Sequence, residues 1–475
     1  MNWMLFIPEC YYIVMAGVFF GLCLMDRFEA RRNFRLSITL SALGVGICLA
    51  SVGQRGDLFA NAYHVDLFSQ VFKILLALGL LFTIALCSNL HQESIGVSRS
   101  HQTEFFLLLT TCTIAMMLLV SSVHLLAIYI SLETSSYCLY ILVYLREGRS
   151  ETVRTCLRYF LIGASASAVM LFGMALVYGF SQAAHVVDLA RLPAGVLGQP
   201  AVLLGLSMML CGFLFKLAVF PFHFWAPDVY ETASNPVTAF IATASKVAAI
   251  ALLIRLSALA GAGRYLSDIL TILAIVTMTV GNLSAIVQND LKRLLAWSSV
   301  AQAGYVLIGI LSMSLAGYTA AVFYSAGILV MKLTCFLVVV KVADDGRNLS
   351  VGDLAGLHQR CPMLALALML ALFGLAGVPP TIGFSGKLLI FTAAMENGHF
   401  LLVLIAMINV VISLYYYLLV LKAAYLQEPA IPQAPLTLSV GDRLLAVFLI
   451  GVIITVGFFP NPLIRLAHAA ASGLI

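Results

Sequence analysis

The sequence predicts an all-α polytopic membrane protein with about fourteen transmembrane helices. Of its 475 residues, 62% are hydrophobic and only 10% are charged, whereas charged residues make up roughly 25% of a typical soluble domain. The mean hydropathy is +1.04, and apolar stretches of about 20 residues, the length that spans a bilayer, recur along the whole chain. These features exclude a soluble enzyme, a disordered chain and a nucleic-acid-binding protein with a basic face.

The predicted spans are numbered one to fourteen, and these numbers are kept throughout. They cover approximately 5–25, 36–53, 66–88, 105–122, 124–145, 157–180, 201–220, 237–258, 266–288, 294–313, 318–342, 363–391, 400–425 and 443–459. The first 25 residues lack a basic leading segment and a small-residue cleavage site, so we interpret them as the first span and not as a signal peptide.

The loop charges predict the orientation of the chain. Lys and Arg number sixteen in the odd-numbered loops, and five in the even-numbered loops and the C-terminus together. Cytoplasmic loops carry the excess of basic residues. We therefore expect a multi-pass protein of a bacterial inner membrane with both termini in the periplasm.

The remaining five basic residues all lie within spans, and all are lysines: Lys73, Lys216, Lys246, Lys332 and Lys387. A charged side chain at the bilayer centre costs about 2.5–3.5 kcal/mol on insertion scales, so such residues usually have a function. Lysine, unlike arginine, can release its proton in a buried site. This pattern predicts a proton path. Lys73 is ambiguous because it lies near the start of its span and near Asp66, where a structural pair is the alternative.

A single carboxylate, Glu133, is predicted in the middle of a span. Helical spacing places Tyr129, Ser136, Tyr137 and Tyr140 on the same face as this carboxylate. We expect that face to form a polar path.

Two spans are predicted to be broken. Pro221 follows Lys216 by five residues and cannot donate a hydrogen bond to the carbonyl of Leu217. Span twelve is interrupted before Lys387 by a run of glycines and prolines: Gly374, Gly377, Pro379, Pro380, Gly383 and Gly386. Interrupted spans in corresponding positions indicate repeated units around an ion site. Spans four to eight and nine to thirteen are then two five-helix units, the second inverted.

This organisation predicts four segments: residues 1–103 with spans one to three, 104–262 with the first five-helix unit, 263–426 with the second, and 427–475 with span fourteen. The ten cysteines show no metal-ligand spacing. No His pair is predicted at the centres of facing spans, as a haem with two His ligands requires. We therefore expect no metal, redox site or other cofactor in this chain.

Four segments closely resemble the antiporter-like subunits of respiratory complex I, the proton-pumping NADH–quinone oxidoreductase, and most of all the subunit N branch. The most characteristic are LFKLAVFPFHFWAPDVYETASNPVTAFIATASK at 214–246 and GNLSAIVQNDLKRLLAWSSVAQAGYVLIGI at 281–310. The other two are RYFLIGASASAVMLFGMALVYG at 158–179 and FGLAGVPPTIGFSGKLLIF at 373–391. The resemblance covers about residues 60–425.

The resemblance implies the same architecture of fourteen helices, two inverted units and broken helices seven and twelve. It also implies roles for individual residues. Glu133 is similar to the family's helix-five glutamate, and Lys216, Lys246 and Lys387 are similar to its lysines of helices seven, eight and twelve. Lys332 lies where the family's polar axis passes through helix eleven. Gln302 differs, because relatives often have His there.

The family implies a proton-translocating subunit of a translocase enzyme. NADH, FMN, iron–sulfur clusters and quinone are then expected in partner subunits, with no nucleic-acid partner. In the predicted mechanism, Glu133 and Lys216 form a switchable pair that drives a proton from Lys246 through Lys332 to Lys387. The alternatives are a subunit of a multi-subunit sodium/proton antiporter and a membrane subunit of an energy-converting hydrogenase.

Overall fold

The computed structural model of the chain describes residues 3–25, 30–88, 101–146, 150–259, 264–343, 346–429 and 434–474. Arg27, Arg99 and Arg149, which contribute to the predicted loop charge, lie outside the described residues, as does the predicted boundary at 262/263.

Within these ranges, thirteen helices are long and apolar enough to cross a membrane. Spans one to eleven are Trp3–Leu24, Arg32–Ala50, Leu67–Leu86, Gln102–Ser121, Leu125–Tyr144, Glu151–Ser181, Pro200–Leu217, Asn235–Ala258, Ser267–Ile286, Leu291–Leu311 and Leu315–Val342, and spans thirteen and fourteen are Phe400–Leu426 and Val440–Phe458. Span twelve is formed by two shorter helices, Pro362–Ala376 and Ile382–Glu396. The predicted all-helical membrane fold is confirmed.

Span seven is broken where Pro221 predicts it. Its first half ends at Leu217, and Ala218 then adopts a left-handed conformation with φ of 60°. A second half, Trp225–Thr232, continues the crossing after the turn.

Span twelve is broken in a similar way. Its first half ends before Gly377, which has φ of +87°, a conformation that glycine adopts at little cost. Pro379 and Pro380 follow, and the second half starts after Thr381, whose hydroxyl accepts a hydrogen bond from the backbone N–H of Phe384. The two halves lie close together, because a Cβ atom added at Gly383 would meet the carbonyl oxygen of Gly374 at 1.8 Å.

Several elements were not predicted. A short antiparallel hairpin joins strands β1 (Gly56–Leu58) and β2 (Tyr63–Val65). Short helices lie in the loops at Val186–Ala190, Ala194–Leu197, Val351–Leu354 and Leu357–Arg360. The chain ends with the helix Asn461–Ser472, which buries Ala467, Ala470 and Ala471 but exposes Arg465 and His468. This helix was missed because its polar side keeps it out of a search for continuous apolar runs.

Odd-numbered loops contact other odd-numbered loops, and even-numbered loops contact other even-numbered loops. This is expected if successive spans cross the membrane in opposite directions. On one face, Arg146 of loop five donates a hydrogen bond to the carbonyl of Gly346 in loop eleven at 2.8 Å, and Asp290 of loop nine pairs with Ser350 of loop eleven. On the other face, His124 of loop four pairs with His185 of loop six. We call these the odd-loop face and the even-loop face.

Three buried ion pairs in the described part of the chain join different spans: span one to span three, the start of span three to span eight, and span eleven to span fourteen. The Lys73 ammonium lies 2.8 Å from a Glu9 carboxylate oxygen, the Arg255 guanidinium 2.9 Å from Asp66, and the Lys341 ammonium 2.8 Å from Asp442. All six side chains are buried. Burial opposes charge on Asp66, but Arg255 and the backbone N–H of Ser69 outweigh it and lower its pKa.

These pairs correct three expectations from the sequence. Lys73 bonds to Glu9 and not to its neighbour Asp66, so a second buried carboxylate escaped notice near the start of span one. Arg255 and Lys341 were counted as loop residues, but both lie buried within helices. The inference that arginine is absent from the spans is therefore wrong.

The Glu9 pair leads to a stability prediction. Removing one partner of a buried ion pair strands the other charge and costs about 3–5 kcal/mol. We expect Glu9→Gln to lower the thermal midpoint of the purified protein, because the neutral amide can still accept a hydrogen bond but no longer balances the charge of the buried Lys73 ammonium, which also contacts the Tyr63 hydroxyl at 2.9 Å. The double variant Glu9→Leu/Lys73→Met should recover most of this loss. A single variant as stable as the double one would contradict the prediction.

Candidate functional site

Four of the predicted site lysines form a buried series across the centre of the fold. Lys216, Lys246, Lys332 and Lys387 lie on spans seven, eight, eleven and twelve, and each is no more than 3% exposed. The partners of each ammonium group show how the structure holds it.

Lys246 bonds to a carbonyl that the break in span seven leaves free. In an uninterrupted helix, the carbonyl of Leu217 would accept from the N–H of residue 221, but Pro221 has no N–H. The Lys246 ammonium donates to this oxygen instead, at 2.5 Å. It also lies 5.1 Å from the centre of the Trp225 ring. A turn of π-helix, Ile241–Ser245, directly precedes this lysine.

Lys387 uses the break in span twelve in the same way. The carbonyls of Leu375 and Ala376 would bond to residues 379 and 380, which are both prolines. The Lys387 ammonium donates to Leu375 at 2.7 Å and to Ala376 at 3.1 Å. Its other side faces the Tyr305 ring, 4.4 Å from the ring centre.

Lys216 lies in the last turn of the first half of span seven and contacts span five. Its ammonium donates to the hydroxyls of Ser135 at 3.1 Å and Ser136 at 3.0 Å. Glu133, on the same span as these serines, accepts a hydrogen bond from the Ser167 hydroxyl of span six. Glu133 and Lys216 are therefore neighbours, but they do not form an ion pair.

The predicted polar face around Glu133 is partly wrong. Tyr137 is 49% exposed on the outer surface of the chain, so it lies away from the lysine series. Tyr140 is buried, and its hydroxyl lies against Gly163. A Cβ atom added at Gly163 would lie 1.9 Å from the Tyr140 hydroxyl oxygen. Of the predicted face, only Ser136 contacts a site lysine.

Lys332 lies between the two broken spans and is fully buried. Its ammonium donates to the carbonyl of Leu295 and to the hydroxyl of Ser298, both at 2.8 Å. The Ser298 oxygen lies 2.6 Å from the Tyr417 hydroxyl of span thirteen.

A small cavity separates Lys246 from Lys332, with room for about one water molecule. Gln302 also lines this cavity, and its amide N–H donates to the carbonyl of Leu375 at 3.0 Å. Lys387 donates to the same Leu375 carbonyl oxygen. Gln302 therefore connects the cavity, which its side chain lines, to the break in span twelve. The Tyr324 hydroxyl donates to the Gln302 side-chain oxygen and fixes the orientation of the amide.

The partners of these four lysines differ from those of the peripheral ion pairs. Lys73, Arg255 and Lys341 each contact a carboxylate, whereas the four central lysines bond to neutral hydroxyls and carbonyls in the described part of the chain. The sequence pattern located the lysines but missed Ser135, Ser298 and Tyr417, because isolated Ser and Tyr residues are common in spans. In the same described ranges, no three His, Cys, Asp or Glu side chains are grouped so that they could hold a metal.

Comparison with known proteins identifies the relatives of the chain. The family model described as NADH:quinone oxidoreductase/Mrp antiporter, TM, matches residues 122–413. NADH-quinone oxidoreductase subunit N 2 of Syntrophobacter fumaroxidans is 56% identical over the whole length of both chains.

Solved structures give the same result at the level of the fold. A chain of respiratory complex I from Thermus thermophilus is 31% identical, with a TM-score of 0.84, and the match covers 97% of this chain and 99% of that one. A chain of the Mrp complex from Dietzia sp. has a TM-score of 0.89 over 100% of this chain and 98% of that one, but only 21% identity. The latter similarity concerns the fold alone.

The close approach within span twelve can be tested with Gly383→Ala. The added methyl group would overlap the carbonyl of Gly374, and overpacking of this kind costs about 1–3 kcal/mol. We expect a lower thermal midpoint for the purified protein. Gly451→Ala in span fourteen is the matched control, because a Cβ atom there meets nothing within 4 Å. Equal midpoints for the two variants would refute the contact.

Proposed function

Because this chain belongs to the NADH:quinone oxidoreductase/Mrp antiporter transmembrane family, we propose that it is a proton-translocating membrane subunit of a NADH–quinone oxidoreductase. The relatives support this assignment, since the 56% identical chain from Syntrophobacter fumaroxidans is named as a subunit of that enzyme. The protein then acts as part of a translocase and has the other membrane and peripheral subunits as partners. NADH, FMN, iron–sulfur clusters and quinone are assigned to those partners.

The observation that carries the proposal is the pairing of two central lysines, Lys246 and Lys387, with carbonyls that prolines leave free. A buried ammonium without a counter-ion is costly, while a neutral amine on a carbonyl is tolerated. Lys246 and Lys387 can therefore gain and lose a proton without breaking an ion pair. A lysine held by a carboxylate, such as Lys73, would have to give up that pair first.

The first step of the mechanism is assigned to Glu133 and Lys216. When Glu133 releases Ser167 and approaches, its negative charge stabilises the ammonium form of Lys216. When Glu133 returns to Ser167, as in this structure, Lys216 keeps only the two serine hydroxyls. Its proton is then driven towards Lys246, which bonds to the carbonyl of Leu217, the residue next to Lys216.

The second step carries the proton through the central cavity. The cavity lined by Lys246 and Lys332 has room for about one water molecule, and we assign a water there as the carrier between the two lysines. From Lys332 the proton moves past Gln302 to Lys387, which controls release. Gln302 cannot itself hold the proton, because an amide does not titrate near neutral pH. Its role is to fix the orientation of the carbonyl that Lys387 uses.

The wider arrangement is part of the same proposal. Residues 104–262 and 263–426 are assigned as two inverted units, flanked by residues 1–103 and 427–475. The odd-loop face is assigned to the cytoplasm and both termini to the periplasm of a bacterial inner membrane, which the excess of basic residues in the odd loops supports. The driving energy comes from electron transfer in the partner subunits.

Co-purification tests the assignment against the two alternatives, a sodium/proton antiporter and an energy-converting hydrogenase. We expect the tagged protein in its native membrane to bring down subunits that oxidise NADH and contain iron–sulfur clusters. Isolation only with other antiporter-like chains, or with a nickel–iron protein, would contradict the assignment.

The proton-release role predicts a difference between two Lys→Arg changes. Arginine keeps its charge but cannot release a proton, so Lys246→Arg should lower NADH-driven proton uptake by inverted membrane vesicles. Lys73→Arg is the matched control, because Lys73 is equally buried but is held by Glu9, and uptake should stay near that of the wild type. Unchanged uptake in Lys246→Arg, with normal assembly, would remove Lys246 from the path.

A further inference from the structure

A second polar region lies on the odd-loop face, where the second half of span seven meets span eight. Here the Arg293 guanidinium contacts Asp228 at 3.1 Å and Glu231 at 2.6 Å. The side chains of Asp228 and Glu231 are 43% and 36% exposed. Two carboxylates are therefore accessible at the surface of this face.

Tyr230, between these two acids in sequence, points into the protein. Its side chain is fully buried, and its hydroxyl has no hydrogen-bond partner among the described residues. The helix Trp225–Thr232, which carries Tyr230, packs against span ten, which carries Ser299. Ser299 also lines the cavity between Lys246 and Lys332.

Ser299 is linked to Lys332 through one backbone oxygen. The Ser299 hydroxyl donates to the carbonyl of Leu295 at 2.9 Å, and the Lys332 ammonium donates to the same oxygen at 2.8 Å. The helix that carries Tyr230 and the two surface carboxylates therefore packs against the span that forms this wall of the central cavity.

Two neighbours of Tyr230 also lack protein partners in the described ranges. These are the Ser234 hydroxyl and the Asn235 side-chain oxygen, both buried at the start of span eight. A buried polar group left without a partner costs about 1–3 kcal/mol, a cost that a bridging water removes. These three atoms belong to residues within a stretch of six along the chain.

Basic and acidic side chains are both present at this junction. The basic groups are Arg146, Lys292 and Arg293. Arg146 and Lys292 donate hydrogen bonds to the carbonyl of Ala233 at 3.0 and 2.8 Å. Asp228, Glu231 and Asp290, which accepts from the backbone N–H of Arg293 at 2.8 Å, are the three acidic groups.

We propose that Tyr230 is a proton-relay residue in an intake route that leads from Asp228 and Glu231 to the Lys246–Lys332 cavity. This proposal rests on the proposed function. A proton on a water molecule at the surface binds the phenol oxygen of Tyr230, and the proton already there leaves towards Ser299 and a cavity water. One O–H bond forms and one breaks, so the phenol is neutral before and after the step.

The test uses the whole complex in inverted vesicles and measures proton uptake per NADH oxidised. Tyr230→Phe removes only the relay hydroxyl, whose oxygen has no hydrogen-bond partner among the described residues. Tyr12→Phe is the matched control, because Tyr12 is also fully buried with an unpartnered hydroxyl but lies on span one. Lys246→Ala is measured in parallel as the reference for a blocked path.

We expect Tyr230→Phe to reproduce the loss of uptake seen in Lys246→Ala, and Tyr12→Phe to match the wild type. The loss should shrink when the pH on the odd-loop face is lowered, because more protons are then available for intake; a folding defect would not respond in this way. If Tyr230→Phe matches Tyr12→Phe while Lys246→Ala loses uptake, the route is wrong and the proposed function stands.

If Lys246→Ala also keeps full uptake, the proposed function itself fails. Should Tyr230→Phe not assemble, Ser299→Ala decides the question at the next position of the route. Loss of uptake in this second variant supports the route, and wild-type uptake overturns it.

Discussion

The broken spans provide acceptors for lysine, and the rest of the site depends on this. A carbonyl inside a regular helix is already bonded to the N–H four residues later. Prolines at 221, 379 and 380 cancel that bond for Leu217, Leu375 and Ala376. An unpaired carbonyl in the membrane interior is unfavourable, and so is an unpaired ammonium. Each satisfies the other, so the prolines and lysines require one another.

The peripheral ion pairs serve a different purpose. Glu9 with Lys73 joins spans one and three, Asp66 with Arg255 joins the start of span three to span eight, and Asp442 with Lys341 joins spans fourteen and eleven. In the last of these, the Ser88 hydroxyl after span three also bonds to both Lys341 and Asp442. Oppositely charged partners in a low-dielectric interior hold tightly because separating them leaves two buried charges. The peripheral spans are thus joined by ion pairs, whereas the central lysines bond to neutral groups.

Much of this arrangement could be predicted from the sequence. Composition and span length predicted the membrane fold, and the Gly and Pro runs located both breaks. The free carbonyl of Leu217 also followed from Pro221 alone, because the rule is local. The partner of that carbonyl did not follow, since Lys246 lies 29 residues further along the chain.

Other expectations failed for physical reasons. Lys73 was placed beside Asp66 on sequence proximity, but its partner Glu9 comes from another span, and only packing brings the two together. The exposure of Tyr137 was missed because lipid-facing and protein-facing surfaces are both apolar, so helical periodicity does not distinguish them. Amphipathic pattern identifies buried faces best where water lies on one side.

The π-helical turn Ile241–Ser245 changes the helical register within span eight. Such a turn holds one residue more than an α-helical turn, and one residue corresponds to a rotation of about 100° around the helix axis. The side chains of span eight after residue 245 are therefore rotated about the helix axis by that angle, relative to the positions they would have in a continuous α-helix. Moving the bulge along the helix by a few residues would swing the Lys246 side chain from one neighbouring span to another, while the ends of the helix stay in place.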